Sequence, residues 1–406
     1  MLNVLANISI PSAVYGDMLK IKRKCSVLII GFTEFSEKMY PHCYDVIDSV
    51  YDNFHVTHCS ADDKGVLFLR LHDILKPTAS PGKFLLKLKL LWYSIRKIGN
   101  IGREVETVVK GTNDVIIALD HSALYYAQKY NVNKIPVIFW SLDIVTNDHP
   151  WNVSWFVRRM IEANRTKISQ VNLIIVQDEN RGQLLDDTIG SDKTPKYYLP
   201  VSLLEDDFSR DIARKKRSGF LSGSVKLMMV GSVCEGRGSN VIVDLYDELN
   251  DKTIELICHG HVFDSIKDKI DSLKSKISVI NIADTFDHYR RNLSEAHIGI
   301  IVNKSIIAND LWYSMACGQL VEFTRMGIPV IVAFNDDVGN FVEREGCGVY
   351  LRDLSVFESV INNIIDNYAA YSAKSYGAFN CFFNLKSYIG SLVAVVEKVA
   401  SSHRAG

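Results

Sequence analysis

Short runs of consecutive apolar residues recur along the chain, and longer segments with apolar residues at helical spacing lie between them. The runs are rich in β-branched residues and occupy 25–32, 114–120, 136–140 and 172–177 in the first half and 226–231, 254–258, 298–302 and 329–334 in the second. Apolar runs of this length are typical of strands that are covered on both faces of a sheet. Their alternation with helices predicts α/β domains built on parallel sheets.

A charged stretch divides the two groups of strands. Residues 205–218 contain almost no core-forming side chains, and 406 residues are too many for one ordinary core. We therefore predict a first domain at 1–204, an inter-domain linker at 205–222 and a second domain at 223–377. Residues 378–406 predict an amphipathic helix that either returns to the first domain or ends the second.

Composition narrows the class of protein. A hydrophobic content of 47%, a charged content of 23% and a formal net charge of -1 are ordinary for a globular protein and give no general attraction to nucleic acid. No run approaches the roughly 20 apolar residues of a membrane span, and no secretion signal is evident, so we expect a cytoplasmic protein. The eight cysteines are scattered without a C-x-x-C pair, which favours reduced thiols over a disulfide frame or a zinc site.

One segment of the first half, 83–97, mixes leucines and a tryptophan with five basic residues. Such a basic amphipathic helix can lie on an anionic membrane surface. An ordinary surface helix with a solvated basic edge explains the same pattern, and we favour that interpretation.

In the second half, a glycine-rich loop follows the first strand. Gly231, Ser232, Arg237 and Gly238 lie between this strand and the next helix, so backbone N–H groups and one guanidinium can grip a diphosphate. His259 and Lys304 end two later strands and are expected at the same edge of the sheet, where a capping role is an equally good interpretation.

A second candidate for diphosphate binding begins at Gly318. Gly318, Gln319 and Leu320 open a short predicted helix, and the N–H groups of a helix start favour an anion. Glu322, one turn into this helix, can accept hydrogen bonds from a ribose diol. A Gly-x-Pro turn ends the helix at Gly327 and leads into the buried strand at 329–334.

The segment Gly-Gln-Leu-Val-Glu-Phe-x-x-x-Gly-Ile-Pro-Val-Ile is similar to the K-L-x-E-Y-x-A-x-G-x-P-V-I segment of GT-B glycosyltransferases. Leu320, Glu322, Gly327, Pro329 and Val330 match in register. The likeness extends over 227–351, about a third of the chain.

The glycine-rich loop also resembles the family's V-G-R-x-x-x-x-K-G loop, with two departures. Ser232 stands where an Arg is usual, and Arg237 stands where a Lys is usual. A third departure is Ser314, eight residues before Glu322, where many retaining members carry a further Glu.

The resemblance implies two Rossmann-like domains that face a central cleft. It implies transfer of a sugar from a UDP- or GDP-sugar, which is a co-substrate rather than a cofactor, to a glycan or lipid-linked acceptor held by the first domain. Retention of configuration, independence of metal and a role in cell-surface polysaccharide or glycoconjugate synthesis are the corresponding expectations. The sequence has no Asp-x-Asp triplet, in agreement with a reaction that needs no metal.

Three first-domain residues follow predicted strands and are our candidates for catalysis: Asp120, His121 and Asp143. For each of them the pattern alone favours a structural cap or helix-start residue over a catalyst. Two alternatives to a transferase stay open. The departures at Ser232 and Ser314 suit a catalytically silent partner subunit, and the same scaffold supports a sugar-nucleotide 2-epimerase.

Overall fold

The structure is a computed structural model that describes residues 25–31, 45–46, 55–60, 106–107, 109–110, 113–149, 155–219, 223–249, 251, 253–273, 277–280 and 286–404. The basic segment 83–97, on which the predicted membrane contact depends, lies outside the described residues. None of the helices within them is long and apolar enough to cross a bilayer.

The first sheet is entirely parallel in its described strands, which are β1 (Ser26–Gly31), β2 (His55–Ser60), β3 (Val115–Leu119), β4 (Val137–Trp140), β5 (Leu173–Val176) and β6 (Lys196–Tyr198). Their order is β2-β1-β3-β4-β5-β6. The connections include α1 (Asp120–Tyr130), α2 (Trp155–Lys167) and α3 (Glu179–Ile189). The order reverses direction between β1 and β3, which places a crevice at the carboxyl ends of these strands.

The second sheet repeats this design with β7 (Val225–Val233), β8 (Ile254–Val262), β9 (Ile277–Ile280), β10 (Ile298–Val302), β11 (Val330–Ala333) and β12 (Gly348–Tyr350). Their order is β12-β11-β10-β7-β8-β9, again parallel. The helices that follow α3 are α4 (Asp207–Arg217), α5 (Ser239–Asp247), α6 (Asp264–Ser272), α7 (Phe286–Ser294), α8 (Ala308–Leu311), α9 (Gly318–Arg325), α10 (Asp336–Glu345), α11 (Phe357–Asp366) and α12 (Tyr368–Ala378). The predicted α/β class with two Rossmann-like units is confirmed.

Most of the predicted linker is a packed helix. Asp206 and Ser209 form a capping box that starts α4, because each side chain accepts a hydrogen bond from the other's backbone N–H. Ala213 is buried, and the buried ammonium of Lys216 donates to the carbonyl of Ala296 at 2.6 Å. The charged face of α4 is solvated, as expected, but its other face packs on the second unit. The domain boundaries themselves stay predictions.

The predicted helix from 378 onward is interrupted. A π-helical turn at Phe379–Phe383 ends the preceding helix, and the chain pairs with Leu203 at Asn384 before α13 (Lys386–Arg404) begins. Leu392 and Val396 of α13 pack in one cluster with Val27 and Ile29 of β1. The last helix therefore covers one face of the first sheet.

Gly260 marks a very close approach of β7 and β8, and it yields a first prediction. A Cβ built there would lie 2.1 Å from the carbonyl oxygen of Gly231, and the φ of Gly260 is +144°. We expect Gly260→Ala to lower the free energy of unfolding by about 3 kcal/mol or more, measured by urea denaturation. In the helical control Gly377→Ala, the new methyl meets nothing within 4 Å among the described residues, and stability should rise by about 0.5–1 kcal/mol. Equal stability of the two variants would contradict the close approach.

Candidate functional site

The glycine-rich loop lies at the carboxyl end of β7, as predicted. Gly231 and Ser232 are exposed, and the loop ends at Gly238, whose φ of +88° starts α5. A Cβ on Gly238 would lie 3.0 Å from the ring of Phe334 and 3.3 Å from the Cβ of Lys304. The backbone N–H of Lys304 also donates to the carbonyl of Arg237 at 3.0 Å. The loop is thus fixed against the ends of β10 and β11.

The start of α9 adjoins this loop. The side-chain amide of Gln319 donates to the carbonyl of Val230, the residue before Gly231. A Cβ on Gly318 would meet nothing within 4 Å in the described part of the chain, so the helix start faces open space. Leu320 is fully buried and its N–H donates to the Sγ of Cys317 at 3.4 Å, which leaves that amide already occupied.

The guanidinium of Arg237 lies close to the residues just before α9. Burial raises the pKa of Cys317 to about 12, and Arg237 opposes this rise. Burial likewise raises the pKa of Tyr313, again against the field of Arg237, while Asp310 and Asp143 add to the rise. Charges of both domains therefore act on the Tyr313 hydroxyl.

Glu322 is 5% exposed and only partly satisfied. Its Oε2 accepts from Nη2 of Arg325 at 2.9 Å, whereas its Oε1 has no hydrogen-bond partner among the described residues. Burial raises the pKa of Glu322, and the cations Arg325 and Arg290 oppose that rise. A buried carboxylate oxygen without a donor is costly, unless a bound hydroxyl supplies one.

His259 is linked to Glu322 through a tyrosine. Its ring packs edge-on against Tyr289 with the centroids 5.2 Å apart, and its Nε2 lies 3.1 Å from Nδ2 of Asn292. Burial lowers the pKa of His259, and both burial and the Glu322 carboxylate raise the pKa of Tyr289. His259 is therefore a neutral, buried residue of the second domain, whereas Lys304 is exposed.

In the first domain, Asp120 has the most perturbed environment of the three catalytic candidates. It is a half-buried residue with a left-handed φ of 64°, and its Oδ1 accepts from the N–H groups of Leu142 at 2.8 Å and Asp143 at 3.2 Å. Burial and the neighbouring Asp143 carboxylate raise the pKa of Asp120 to about 7, against the opposing field of Arg181. This carboxyl group can therefore exchange a proton near neutral pH.

His121 faces the interior. It is 4% exposed, its ring packs on Phe139 with centroids 5.3 Å apart, and neither ring nitrogen has a hydrogen-bond partner within the described ranges. Burial, with a smaller effect of His149, lowers the pKa of His121 to about 4. The imidazole is neutral at physiological pH, and a ligand could reach it only after local rearrangement.

The raised pKa of Asp120 predicts how the stability of the protein depends on pH. The unfolded chain loses this proton near pH 3.8 and the native state near pH 7, so the native state binds more protons in between. Stability therefore falls as pH rises through this window, and Asp120→Asn should remove up to about 4 kcal/mol of that fall. Asn also tolerates the left-handed backbone. Urea denaturation from pH 4 to pH 8 measures the difference, with exposed Asp211→Asn as the control. A constant difference across the range would contradict the raised pKa.

The structure brings the glycine-rich loop, Lys304 and the start of α9 together at the carboxyl ends of β7 and β10, with Glu322 and His259 buried behind them. In the first domain, Asp120 and Asp143 share one turn, whereas His121 faces the interior.

Sequence reasoning missed Tyr313, Arg181 and Asn309, although the polar stretch after β10 was visible. Ser314, where retaining relatives carry a Glu, is buried, and its N–H donates to Oδ2 of Asp337 at 2.6 Å. Within the ranges described, no group of three or more His, Cys, Asp or Glu side chains is arranged to hold a metal ion.

Comparison with solved structures identifies the fold. The Anabaena protein HepE in complex with UDP superposes with a TM-score of 0.62 at 14% identity, covering 92% of this chain and 100% of that one. Sucrose-phosphate synthase from Thermosynechococcus elongatus gives 0.60 at 10%, covering 93% and 100%. WaaG, a glycosyltransferase involved in lipopolysaccharide biosynthesis, gives 0.55 at 11%, covering 91% and 99%. No protein-family model and no curated protein matches the chain.

The chain has the GT-B fold. The resemblance inferred from 227–351 is thereby confirmed at the level of architecture, and it extends to the first half, which the motifs did not cover. Two of these neighbours are named as a sucrose-phosphate synthase and a glycosyltransferase, and HepE has been crystallised with UDP-glucose as well as with UDP.

Proposed function

We propose that this protein is a glycosyltransferase that moves a sugar from a nucleotide sugar, UDP- or GDP-linked, to an acceptor held by the first domain. The observation that carries the proposal is the state of Glu322. One oxygen of this buried carboxylate is held by Arg325, and the other has no hydrogen-bond partner in the part of the chain that the structure describes. A ribose diol supplies the missing donors, and the UDP complexes of HepE support a nucleotide as their source.

The diphosphate would lie between the glycine-rich loop and the start of α9. Arg237 supplies a fixed positive charge there, and the helix start supplies backbone dipoles of the same sign. Both act most strongly on the charge that develops as the nucleoside diphosphate leaves. The proposed chemistry therefore uses leaving-group stabilisation by the protein itself, and retention of configuration is part of the proposal.

Asp120 and Asp143 would meet the acceptor. The pKa of Asp120, raised to about 7 by burial and by Asp143, suits a group that accepts or shares the acceptor's proton. A glycan or lipid-linked acceptor and a role in cell-surface glycoconjugate synthesis at the inner face of the membrane complete the proposal.

A thermal-shift panel of UDP-, GDP-, ADP- and CMP-sugars tests donor binding, because a ligand that binds only the native state raises the melting temperature. We expect UDP- or GDP-sugars to stabilise the protein and the others to have little effect. No shift with any nucleotide would refute the donor site.

Product analysis with the stabilising donor separates the proposal from its rivals. A transferase consumes the donor faster when acceptor is present. Epimerised donor formed without acceptor would favour a 2-epimerase, while binding without any turnover across an acceptor library would favour a silent partner subunit.

A further inference from the structure

One arginine of the first domain is enclosed at the boundary between the two domains. Arg181, in the first turn of α3, is 1% exposed. Within its own domain, Nε donates to Oε1 of Gln177 at 2.6 Å and Nη2 to the carbonyl of Leu142 at 2.9 Å. Across the boundary, Nη1 donates to the carbonyls of Asn309 at 2.8 Å and Trp312 at 3.1 Å, and Nη2 to Oδ1 of Asn309 at 3.0 Å. These five bonds match the five N–H donors of a guanidinium.

Asn309, the second-domain partner of Arg181, and its neighbour Ala308 make two further hydrogen bonds to the first domain. Asn309 is 5% exposed, and its Oδ1 also accepts from the backbone N–H of Ile144 at 2.8 Å. Next to it, the N–H of Ala308 donates to Oδ2 of Asp148 at 3.0 Å. Segment 308–312 of the second domain is therefore fixed to the surface of the first by directed hydrogen bonds.

This segment connects directly to the proposed reaction centre. The next residue is Tyr313, whose N–H donates to Oδ2 of Asp337 at 2.9 Å, and four residues later Cys317 caps the start of α9. Charges of both domains, Arg237 and Asp143, act on the Tyr313 hydroxyl. On the first-domain side, the Leu142 carbonyl that Arg181 holds belongs to the turn whose N–H groups bind Asp120. A single guanidinium thus fixes both walls of the cleft.

Burial of the Arg181 guanidinium costs free energy, and nearby carboxylates offset part of this cost. Burial lowers the pKa of Arg181, while the carboxylates of Asp143, Asp178 and Asp310 raise it. A Lys has three donors and no planar fork, so it cannot replace all five bonds. A purely structural contact between domains could be made more cheaply by apolar packing.

We propose that Arg181 is a positioning residue: it latches the two domains together through Asn309 and aligns Tyr313 with the Asp120–Asp143 pair. The alignment rests on the proposed function, whereas the latch does not. Since misplacement of reacting groups by about 1 Å can cost about 100-fold in rate, loss of the latch should appear in kcat. The nucleotide pocket lies within the second domain and should keep its affinity.

The test uses Arg181→Met and Asn309→Leu in the full chain, with exposed Arg158→Met of α2 as a matched control. We expect kcat to fall about 100-fold in both variants while the Kd for UDP, measured by calorimetry, changes less than about 3-fold. Arg181→Lys should be intermediate. The double variant should be no slower than the slower single variant, because both changes break one network. Small-angle scattering should give a larger radius of gyration for Arg181→Met and for Asn309→Leu than for the wild type and the control.

Two results would overturn the latch: an unchanged radius of gyration in both variants, or a kcat that stays at the wild-type value although the melting temperature falls. Asn309→Leu removes no charge, so it serves as the second variant if Arg181→Met does not fold. Scattering needs no substrate, so it tests the latch even if the wild type binds no nucleotide. Absence of nucleotide binding in the wild type would refute the proposed function but would leave the latch untouched.

Discussion

Replacement of Arg237 by Met is expected to lower the rate of transfer about 100- to 1000-fold. The charge of this guanidinium acts on Tyr313 and Cys317, just before the start of α9, where the leaving diphosphate would accumulate charge. Charge that develops in the transition state is stabilised more than charge in the ground state, so kcat should fall more than the affinity for UDP.

The measurement is steady-state transfer together with calorimetric UDP binding. Arg214→Met is the matched control, because Arg214 forms an exposed ion pair with Asp211 on α4, away from the cleft. A variant at Arg237 that keeps more than a tenth of the wild-type kcat would assign the stabilisation of the leaving group to other residues.

The second large effect is expected at Glu322. Glu322→Gln keeps the shape of the side chain and loses its charge, so hydrogen bonds to a ribose diol should weaken and the Kd for UDP should rise about 10- to 100-fold. Glu322→Ala is a poorer probe, because it also removes the hydrogen-bond acceptor of the buried Arg325 guanidinium, which the side-chain carbonyl of Gln can replace.

Glu343→Gln is the control for this change, since Glu343 makes an exposed pair with Arg352 on the far edge of the second sheet. Affinity is measured by calorimetry and folding by circular dichroism. If Glu322→Gln folds and binds UDP as the wild type does, the ribose lies elsewhere and the main support for the proposed function is lost.

Together the two variants separate the two ends of the donor. Glu322 acts on the nucleoside and should affect binding in the ground state, whereas Arg237 acts on the diphosphate and should affect the chemical step. Opposite behaviour of the pair would indicate that the nucleotide binds in the reverse orientation.

The sequence predicted the strands best where apolar runs are long. β10, β11 and the helix that starts at Gly318 lie where their patterns placed them, because a buried strand needs an uninterrupted apolar run and a glycine permits the turn. The loop from Gly231 to Gly238 was predicted for the same reason.

Segments whose structure depends on distant partners were predicted less well. The charged stretch from 205 forms α4, because one narrow face finds a place against the second unit while the other stays in water. The helix predicted from 378 is broken at Asn384, where the chain pairs with Leu203. His121 was expected at the lip of the cleft, yet its ring packs on Phe139. None of these contacts can be predicted from the neighbouring residues in the sequence, because each depends on a partner that lies far along the chain.

The sequence by itself determined the class of fold and the donor-binding motifs, because strands, turns and helix starts depend on neighbours in the chain. The tertiary structure alone decided the composition of the cleft. Arg181 binds Asn309, which is 128 positions away in the sequence, and Tyr313 is influenced by charges from both domains. The pKa of a carboxyl group such as Asp120 and the pairing of a buried guanidinium depend on which groups surround them in space, and only folding brings those groups together.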